Sequence, residues 1–424
     1  MRRVHPGKTI SLFLVFVTAA CSLAAMGEDH AFFVKDGDRV VFYGDSITDQ
    51  RLYTVLVETY IVTRFPKLHV TFVHSGWGGD RVTGGGGGPV DVRLKRDVVA
   101  YKPTVMTVML GMNDAGYRAF DEGLFKTYTD GLKHILDSVR ADDPGVRITL
   151  IEPSPFDDVT RAPTVEGGYN AVLLKYADAV KKLAAEDGLT VADMNAPVVR
   201  VLEKAKAADA KLAEQIIRDR IHPGPGGHLI MAEALLESWH APAVVSDVTL
   251  DAAQVKAGSV EGAEISGLKS TGTGLDWTQT DRALPMPVDT SDPVVRLVLS
   301  CSDFVNALDQ ESLRVTGLAS GKYALKIDGE SVGTFAAEEL SSGINLATLP
   351  TPMLKQAQTV YDLTVKHNLI HFARWRMVQV PLEGVQLGEA PAALNQLDKL
   401  EQELIERQRA AAQPKPHRFD LEQQ

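Results

Sequence analysis

The sequence predicts an α/β protein: a parallel five-stranded sheet covered by helices on both faces, then an antiparallel β module and C-terminal helices. Three observations carry this expectation. From Arg39 to about Ala243, short β-branched apolar runs alternate with amphipathic stretches; continuous apolar strands alternating with helices imply a parallel sheet buried on both faces. After Pro242 the chain turns rich in Gly, Ser and Thr and loses helical periodicity, which returns beyond residue 351. At 424 residues, 45% hydrophobic and 23% charged, the chain exceeds one ordinary domain and has ample material for a core.

Residues 1–27 read as a secretory signal peptide, which implies a periplasmic or secreted product. MRRVHPGK is basic, Ile10–Ala25 is apolar but short for a membrane span, and Ala25-Met26-Gly27 offers small residues at a cleavage site. An N-terminal anchor is the alternative that this length disfavours. Lipoprotein processing at Cys21 in TAAC ranks second, because Thr18 stands where Leu is usual. Cleavage after Gly27 takes Arg2, Arg3 and Lys8 from the 44 basic residues and none of the 55 acidic ones, leaving a net charge of −14. Such a surface repels nucleic acid and anionic lipid, so neither is an expected partner. No stable membrane insertion is expected once the leader is removed. Cys301 then has no partner in the chain, and an intramolecular disulfide is excluded.

Residues 28–243 form the first expected domain. RVVFYGDS, LHVTFVHSG, VMTVMLGMND, RITLIEPSP and LTVADMN are its strands; helical patterns lie near 50–64, 91–100, 120–140, 167–186, 198–217 and 227–240. Residues 244–350 form a β-rich accessory module, in which VVRLVLSCSDF and SLRVTGLASGKYALKIDGESVGTFA read as strands. Asp328-Gly329 is a hairpin signal there. Residues 351–424 form a C-terminal helical segment, with helices expected over 352–370 and 391–412. The second of these reads as a solvated helix, or alternatively as a packed strut.

The chemistry lies in short blocks. Tyr43-Gly44-Asp45-Ser46 puts a serine at the carboxyl end of the first strand and ahead of a helix, where open α/β sheets present their ligand sites. Alone, such a turn is equally an ordinary helix cap. Gly111-Met112-Asn113-Asp114 ends the third strand, and the Asn113 amide there can donate to a developing oxyanion or simply shape a turn. In Asp219-Arg220-Ile221-His222 the carboxylate can hold one ring N–H, freeing the other nitrogen to take a proton from serine. No metal is expected, since this pair supplies two ligands where zinc wants three or four. His228, six residues on, is expected to face the last helix and solvent. The run Gly84–Gly88 is no phosphate loop: it follows the second strand, lacks the lysine and ends in Pro89. It reads as a pliable wall of a cleft.

Together these blocks, in this order, resemble the SGNH hydrolase (GDSL-type esterase) superfamily over residues 39–240. GDS matches the family's nucleophile motif at Ser46. WGGD matches its second block at Gly79, the G-x-N-D block falls at Asn113, and the D-x-x-H-P block at Asp219 and His222. His74 is a departure, standing where relatives often have Asn. The resemblance implies a flavodoxin-like three-layer α/β/α domain and a serine esterase with the triad Ser46, His222 and Asp219. It further implies an oxyanion hole of the Ser46 and Gly79 N–H groups with the Asn113 amide, and no cofactor.

The family spans carbohydrate O-acetyl esterases, lysophospholipases, thioesterases and lipases. Export, the lack of a long apolar lid and the β module favour short-chain O-acetyl groups on carbohydrate. The expected partner is therefore a small-molecule or polysaccharide ester, and a non-catalytic glycan-binding protein on this fold is the rival reading. Trp77, Arg81, Tyr117 and Phe120 are placed to stack on or hydrogen-bond a sugar, although Trp77 reads equally as a packing residue. HNLIHFARWR (367–376) concentrates His, Arg and Trp, and packing is the favoured reading for it.

Overall fold

Five strands with almost wholly apolar cores build the central sheet: β1 (Arg39–Gly44), β2 (Thr71–Gly76), β5 (Val105–Met109), β6 (Arg147–Ile151) and β7 (Thr190–Ala192). Their order is β2-β1-β5-β6-β7 and every pairing is parallel, as expected. Burial on both faces explains why these strands run continuously apolar; Val40 to Tyr43 have no exposure. Between β2 and β5, a hairpin of β3 (Gly84–Gly85) and β4 (Gly88–Pro89) occupies the glycine run. The computed structural model describes Met1 and residues 31–424; the expected signal peptide and Cys21 lie outside the described residues.

Helices α1 (Ser46–Asp49), α2 (Leu52–Arg64), α3 (Val90–Asp97), α4 (Glu122–Asp142), α5 (Tyr169–Asp187), α6 (Ala196–Ala208), α7 (Ala210–Ala213) and α8 (Pro225–Ser238) flank the sheet. Their starts follow local chemistry. The Asp121 carboxylate caps α4 by accepting the Leu124 N–H, and α4 buries Tyr128, Leu132, Ile135, Leu136 and Val139 along one stripe. The single helix expected over 198–217 is divided, because Asp209 turns out of helical conformation and accepts the N–H groups of Lys211 and Leu212 to start α7.

The β module has two sheets. In one, β8 (Val244–Asp251), β9 (Lys256–Glu261), β12 (Gln310–Thr316) and β15 (Ile344–Asn345) take the order β15-β12-β8-β9, with β8 and β12 parallel. In the other, β10 (Ala263–Ser270), β11 (Gly274–Asp281), β13 (Lys322–Ile327), β14 (Glu330–Ala336) and β16 (Pro416–Gln423) are antiparallel throughout. Asp328 and Gly329, both at positive φ, turn β13 into β14 as their sequence indicates.

Two expectations for the C-terminal half need correction. VVRLVLSC is not a strand but helix α9 (Pro293–Cys301), followed by α10 (Phe304–Leu308). Asp292 caps it with Pro293 in the first turn, and Val295, Val298 and Cys301 recur at helical spacing on its buried side. The segment 351–424 is not purely helical: α11 (Ala337–Ser342) precedes it, and α12 (Pro352–Phe372) and α13 (Ala390–Ala411) lie within it. Its last residues, however, form β16, the middle strand of the antiparallel sheet. His417, Phe419 and Leu421 of β16 are buried on alternate positions, and Phe419 stacks on Trp277. Phe32–Gln424 is one compact unit, so the boundaries expected at 243 and 350 fall inside it.

Glu58 of α2 shows how the C-terminal helices attach. Its buried carboxylate accepts from His74 at 3.0 Å, His367 at 2.5 Å, Asn368 at 3.2 Å and Gln408 at 2.9 Å. Burial pushes the Glu58 carboxyl upward, but the His367 charge and these donors hold it far below the ordinary range. His74, with its other ring nitrogen on Thr54 at 2.6 Å, is an anchor in this network.

Candidate active site

The carboxyl ends of β1, β2 and β5 bring three of the sequence-singled blocks to one edge of the sheet, and the α7–α8 loop adds the fourth. Ser46 opens α1 directly after β1, with Asp45 as its cap, accepting the Ile47 N–H at 3.0 Å. His222 Nε2 lies 2.8 Å from Ser46 Oγ, although the two residues are 176 apart in sequence. Asp219 Oδ2 lies 2.6 Å from His222 Nδ1, while its Oδ1 accepts the N–H groups of Ile221 at 3.0 Å and His222 at 2.8 Å. Partial burial raises the Asp219 carboxyl, but those N–H groups and the imidazole outweigh it and hold the group below its ordinary range. An ionised Asp219 accepts a hydrogen bond from Nδ1–H, which holds the proton on that nitrogen and leaves Nε2 as the basic nitrogen facing Ser46.

His228 corrects an expectation. It is fully buried rather than solvent-facing, its Nδ1 accepting the Tyr53 N–H at 3.2 Å and its Nε2 lying 3.1 Å from Gln50 Oε1. Burial, with the nearby His222 charge second, lowers it to about 3, so it stays neutral and its Nε2 donates to Gln50. Gln50 Nε2 in turn donates to the Pro223 carbonyl at 3.4 Å, tying the helix behind Ser46 to the loop carrying His222.

The expected oxyanion donors converge on the same edge. Gly79 has φ +79°, and a Cβ there would meet nothing within 4 Å, so conformation rather than space calls for glycine. Among the described residues, no hydrogen bond of the protein takes the Ser46 or Gly79 N–H. Asn113 is 9% exposed; its Nδ2 donates to the Asp80 carbonyl at 3.0 Å and its Oδ1 accepts the Tyr117 hydroxyl at 2.8 Å. This pair of contacts fixes which end of the amide carries the donor. Three buried carboxyls lie near the site. Burial raises Asp45 to about 7 and Asp114 to about 6, and raises Asp80 against the opposing Arg93 charge.

The residues expected to meet a sugar divide. Arg81 is exposed and donates to the Asn113 carbonyl at 3.2 Å; Tyr117 is exposed and stacks on Tyr169. Phe120 packs on Phe125 and beneath the Lys175 ammonium. Trp77 is not a stacking platform: it is buried, with the Arg376 guanidinium 3.0 Å from its ring centroid and Trp375 edge-on to it. The glycine run is not a pliable wall either. A Cβ at Gly87 would fall 2.5 Å from Arg93 Cδ and 2.7 Å from Trp77 Cδ2, and one at Gly84 would fall 2.3 Å from the Gly88 carbonyl. The run is a side-chain-free cover over Trp77 and Arg93. HNLIHFARWR packs as favoured, through His367, Trp375 and Arg376.

Residues that local reading missed also surround the site. Asp49 Oδ2 accepts the Gly78 N–H at 3.1 Å. Arg93, fully buried, donates to Asp80, to Asp97 and to the Ser75 carbonyl. No local motif signals these contacts, since each depends on chain segments that meet only in the fold. Among the described residues, no group of three or more His, Cys, Asp or Glu is arranged to hold a metal ion, and no helix is long and apolar enough to cross a membrane.

Residues 42–230 match the GDSL-like lipase/acylhydrolase family. Over 225 residues the chain is 26% identical to an acetylxylan esterase of Geobacillus stearothermophilus, spanning 48% of this chain and 94% of that one. A solved structure of a gut microbial diltiazem-metabolizing enzyme is similar over 92% of this chain and 98% of its own, with TM-score 0.80 and 26% identity.

Proposed function

We infer, from a chain whose residues 42–230 match the GDSL-like lipase/acylhydrolase family, an exported serine esterase that removes short acyl groups, foremost O-acetyl groups on carbohydrate. The single observation that carries the mechanism is the continuous line Ser46 Oγ, His222 Nε2, His222 Nδ1, Asp219 Oδ2, with separations of 2.8 Å and 2.6 Å at its two hydrogen bonds. In this reading Ser46 Oγ attacks the ester carbonyl as His222 Nε2 takes its proton. The tetrahedral oxyanion accepts from the Ser46 and Gly79 N–H groups and the Asn113 amide. His222 then protonates the departing alcohol, and water, deprotonated by the same nitrogen, releases the acid and frees Ser46.

The acetyl preference draws support from the acetylxylan esterase relative. Export rests on the basic and apolar start of the chain. A second reading, a small aromatic ester as substrate, is favoured by one observation. The likeness to the diltiazem-metabolizing enzyme spans 92% of this chain, and so extends over its β module and C-terminal helices. Lysophospholipase or thioesterase activity remains the alternative within the family.

The test is hydrolysis of p-nitrophenyl acetate by wild type and Ser46→Ala, followed by acetate release from acetylated xylan and from diltiazem. Activity that survives Ser46→Ala overturns the serine mechanism. A preference for octanoyl over acetyl esters overturns the short-chain assignment, and faster turnover of diltiazem than of any acetylated glycan favours the second reading.

A further inference from the structure

Two adjacent side chains of the C-terminal segment, Trp375 and Arg376, reach the loop that carries the proposed oxyanion donors. They sit on a π-helical turn, Ala373–Gln379, that continues α12, well outside the family-matched residues 42–230. Such wide turns re-aim side chains that an α-helix would direct elsewhere.

Arg376 touches both the loop and the helix that Ser46 begins. Its guanidinium lies on the Trp77 ring, and its Nη2 is 3.9 Å from Asp49 Oδ2. That same Asp49 oxygen accepts the Gly78 N–H, one residue before Gly79. Asp49 is also the last residue of α1, the short helix that Ser46 begins. Arg376 thus presses on Trp77 and partly neutralises the carboxylate that links nucleophile helix and loop.

Trp375 acts on the other side of the loop. Its indole Nε1 donates to Asp97 Oδ1 at 2.6 Å; Asp97 bonds Arg93, and Arg93 Nε donates to Asp80 Oδ2 at 2.7 Å. The Asp80 carbonyl is the acceptor that holds the Asn113 amide. Arg93 and the carboxylates of Asp80 and Asp97 have no side-chain exposure, so water cannot substitute for a lost member.

We propose that Trp375 and Arg376 are positioning residues for the esterase reaction: the C-terminal segment braces the oxyanion loop at Gly78–Gly79 through Arg376 and Asp49, and at Asn113 through Trp375, Asp97, Arg93 and Asp80. This rests on the serine-esterase reading given above. Because both act through Asp97, Trp77 and Asp49, the expected effect is on turnover and on the tetrahedral species rather than on ground-state binding.

The experiment uses the full mature chain and p-nitrophenyl acetate. Arg376→Ala should lower kcat about 10- to 100-fold with KM changed less than about threefold, the scale expected when donors shift by up to an ångström. Affinity for methaneboronic acid, a mimic of the tetrahedral species on Ser46, should fall by a similar factor. Arg376→Lys, which keeps charge but not the planar stack on Trp77, should recover part of kcat. Trp375→Phe keeps the edge contact, removes the donor to Asp97, and serves equally well if Arg376→Ala fails to fold. Full kcat and boronate affinity in a folded Arg376→Ala or Trp375→Phe protein overturns the proposal, as does a loss confined to thermal stability. Failure of the esterase reading is distinguished by Ser46→Ala, which then retains wild-type activity whatever the brace variants do.

Discussion

Asn113→Ala offers the sharpest test of the oxyanion assignment. In the structure the Asn113 amide spends one N–H on the Asp80 carbonyl, and its oxygen is fixed by the Tyr117 hydroxyl. The second N–H is therefore oriented before substrate arrives, at a residue only 9% exposed. Removing one preorganised donor of this kind costs about 2.7–4 kcal/mol of transition-state stabilisation, or about 10²–10³ in kcat. The low exposure favours the upper part of that range, since a replacement water has little room. The lost partner of the Asp80 carbonyl adds a stability cost of about 1 kcal/mol. Steady-state hydrolysis of p-nitrophenyl acetate, with kcat and KM resolved and a melting curve as control, separates the two effects. KM should move only a few-fold. Tyr117→Phe should show a weaker version, about 3- to 10-fold in kcat, because it releases the amide without deleting it. A folded Asn113→Ala enzyme with kcat within threefold of wild type refutes the assignment.

Other expectations can be checked alongside. Asp219→Asn should lower kcat by about 10²–10⁴ at pH 7; a value below that of a deeply enclosed triad is expected because the Asp219 side chain is 55% exposed. Gly87→Ala should destabilise the fold by about 1–3 kcal/mol in urea unfolding, since its Cβ would press on Arg93 and Trp77. The pH dependence of stability should carry the signature of the C-terminal anchor. Burial disfavours the His367 imidazolium, but Glu58 and Glu401 overcome this and raise it to about 9. A raised folded-state value means that its contribution is complete below the ordinary histidine range, fades as pH rises, and is gone above about 9. His367→Gln should flatten the fall in melting temperature between pH 7 and 10; an unchanged slope would contradict this account. The groups facing His367 include Glu58 of α2 and Glu401 of α13, with Asn368 beside it.

Much of the sheet domain and of the candidate site was legible because the signals are local. Strands buried on both faces must be continuously apolar, helices advertise their caps, and Ser46, Gly79, Asn113 and the Asp219–His222 pair each stand at a turn whose chemistry a few neighbours define. The structure departs from expectation where local signals are ambiguous. Pro293–Cys301 is β-branched and short, and its helical identity depends on Asp292 and on which face meets the core. β16 is charged and terminal, and becomes a strand because β11 and β13 leave a gap between them for it.

The sequence by itself determined the order of elements in the sheet domain and the residue types at its reactive edge, since backbone conformation and side-chain chemistry act within a few residues. Only the tertiary structure decided what surrounds that edge. It buried Trp77 beneath Arg376, gave His228 a structural role beside His222, turned five glycines into a cover over Trp77 and Arg93, and brought Glu58 against His367 and Gln408. Those relations join segments far apart in the chain, and desolvation and close packing, which select them, operate only once the core has closed.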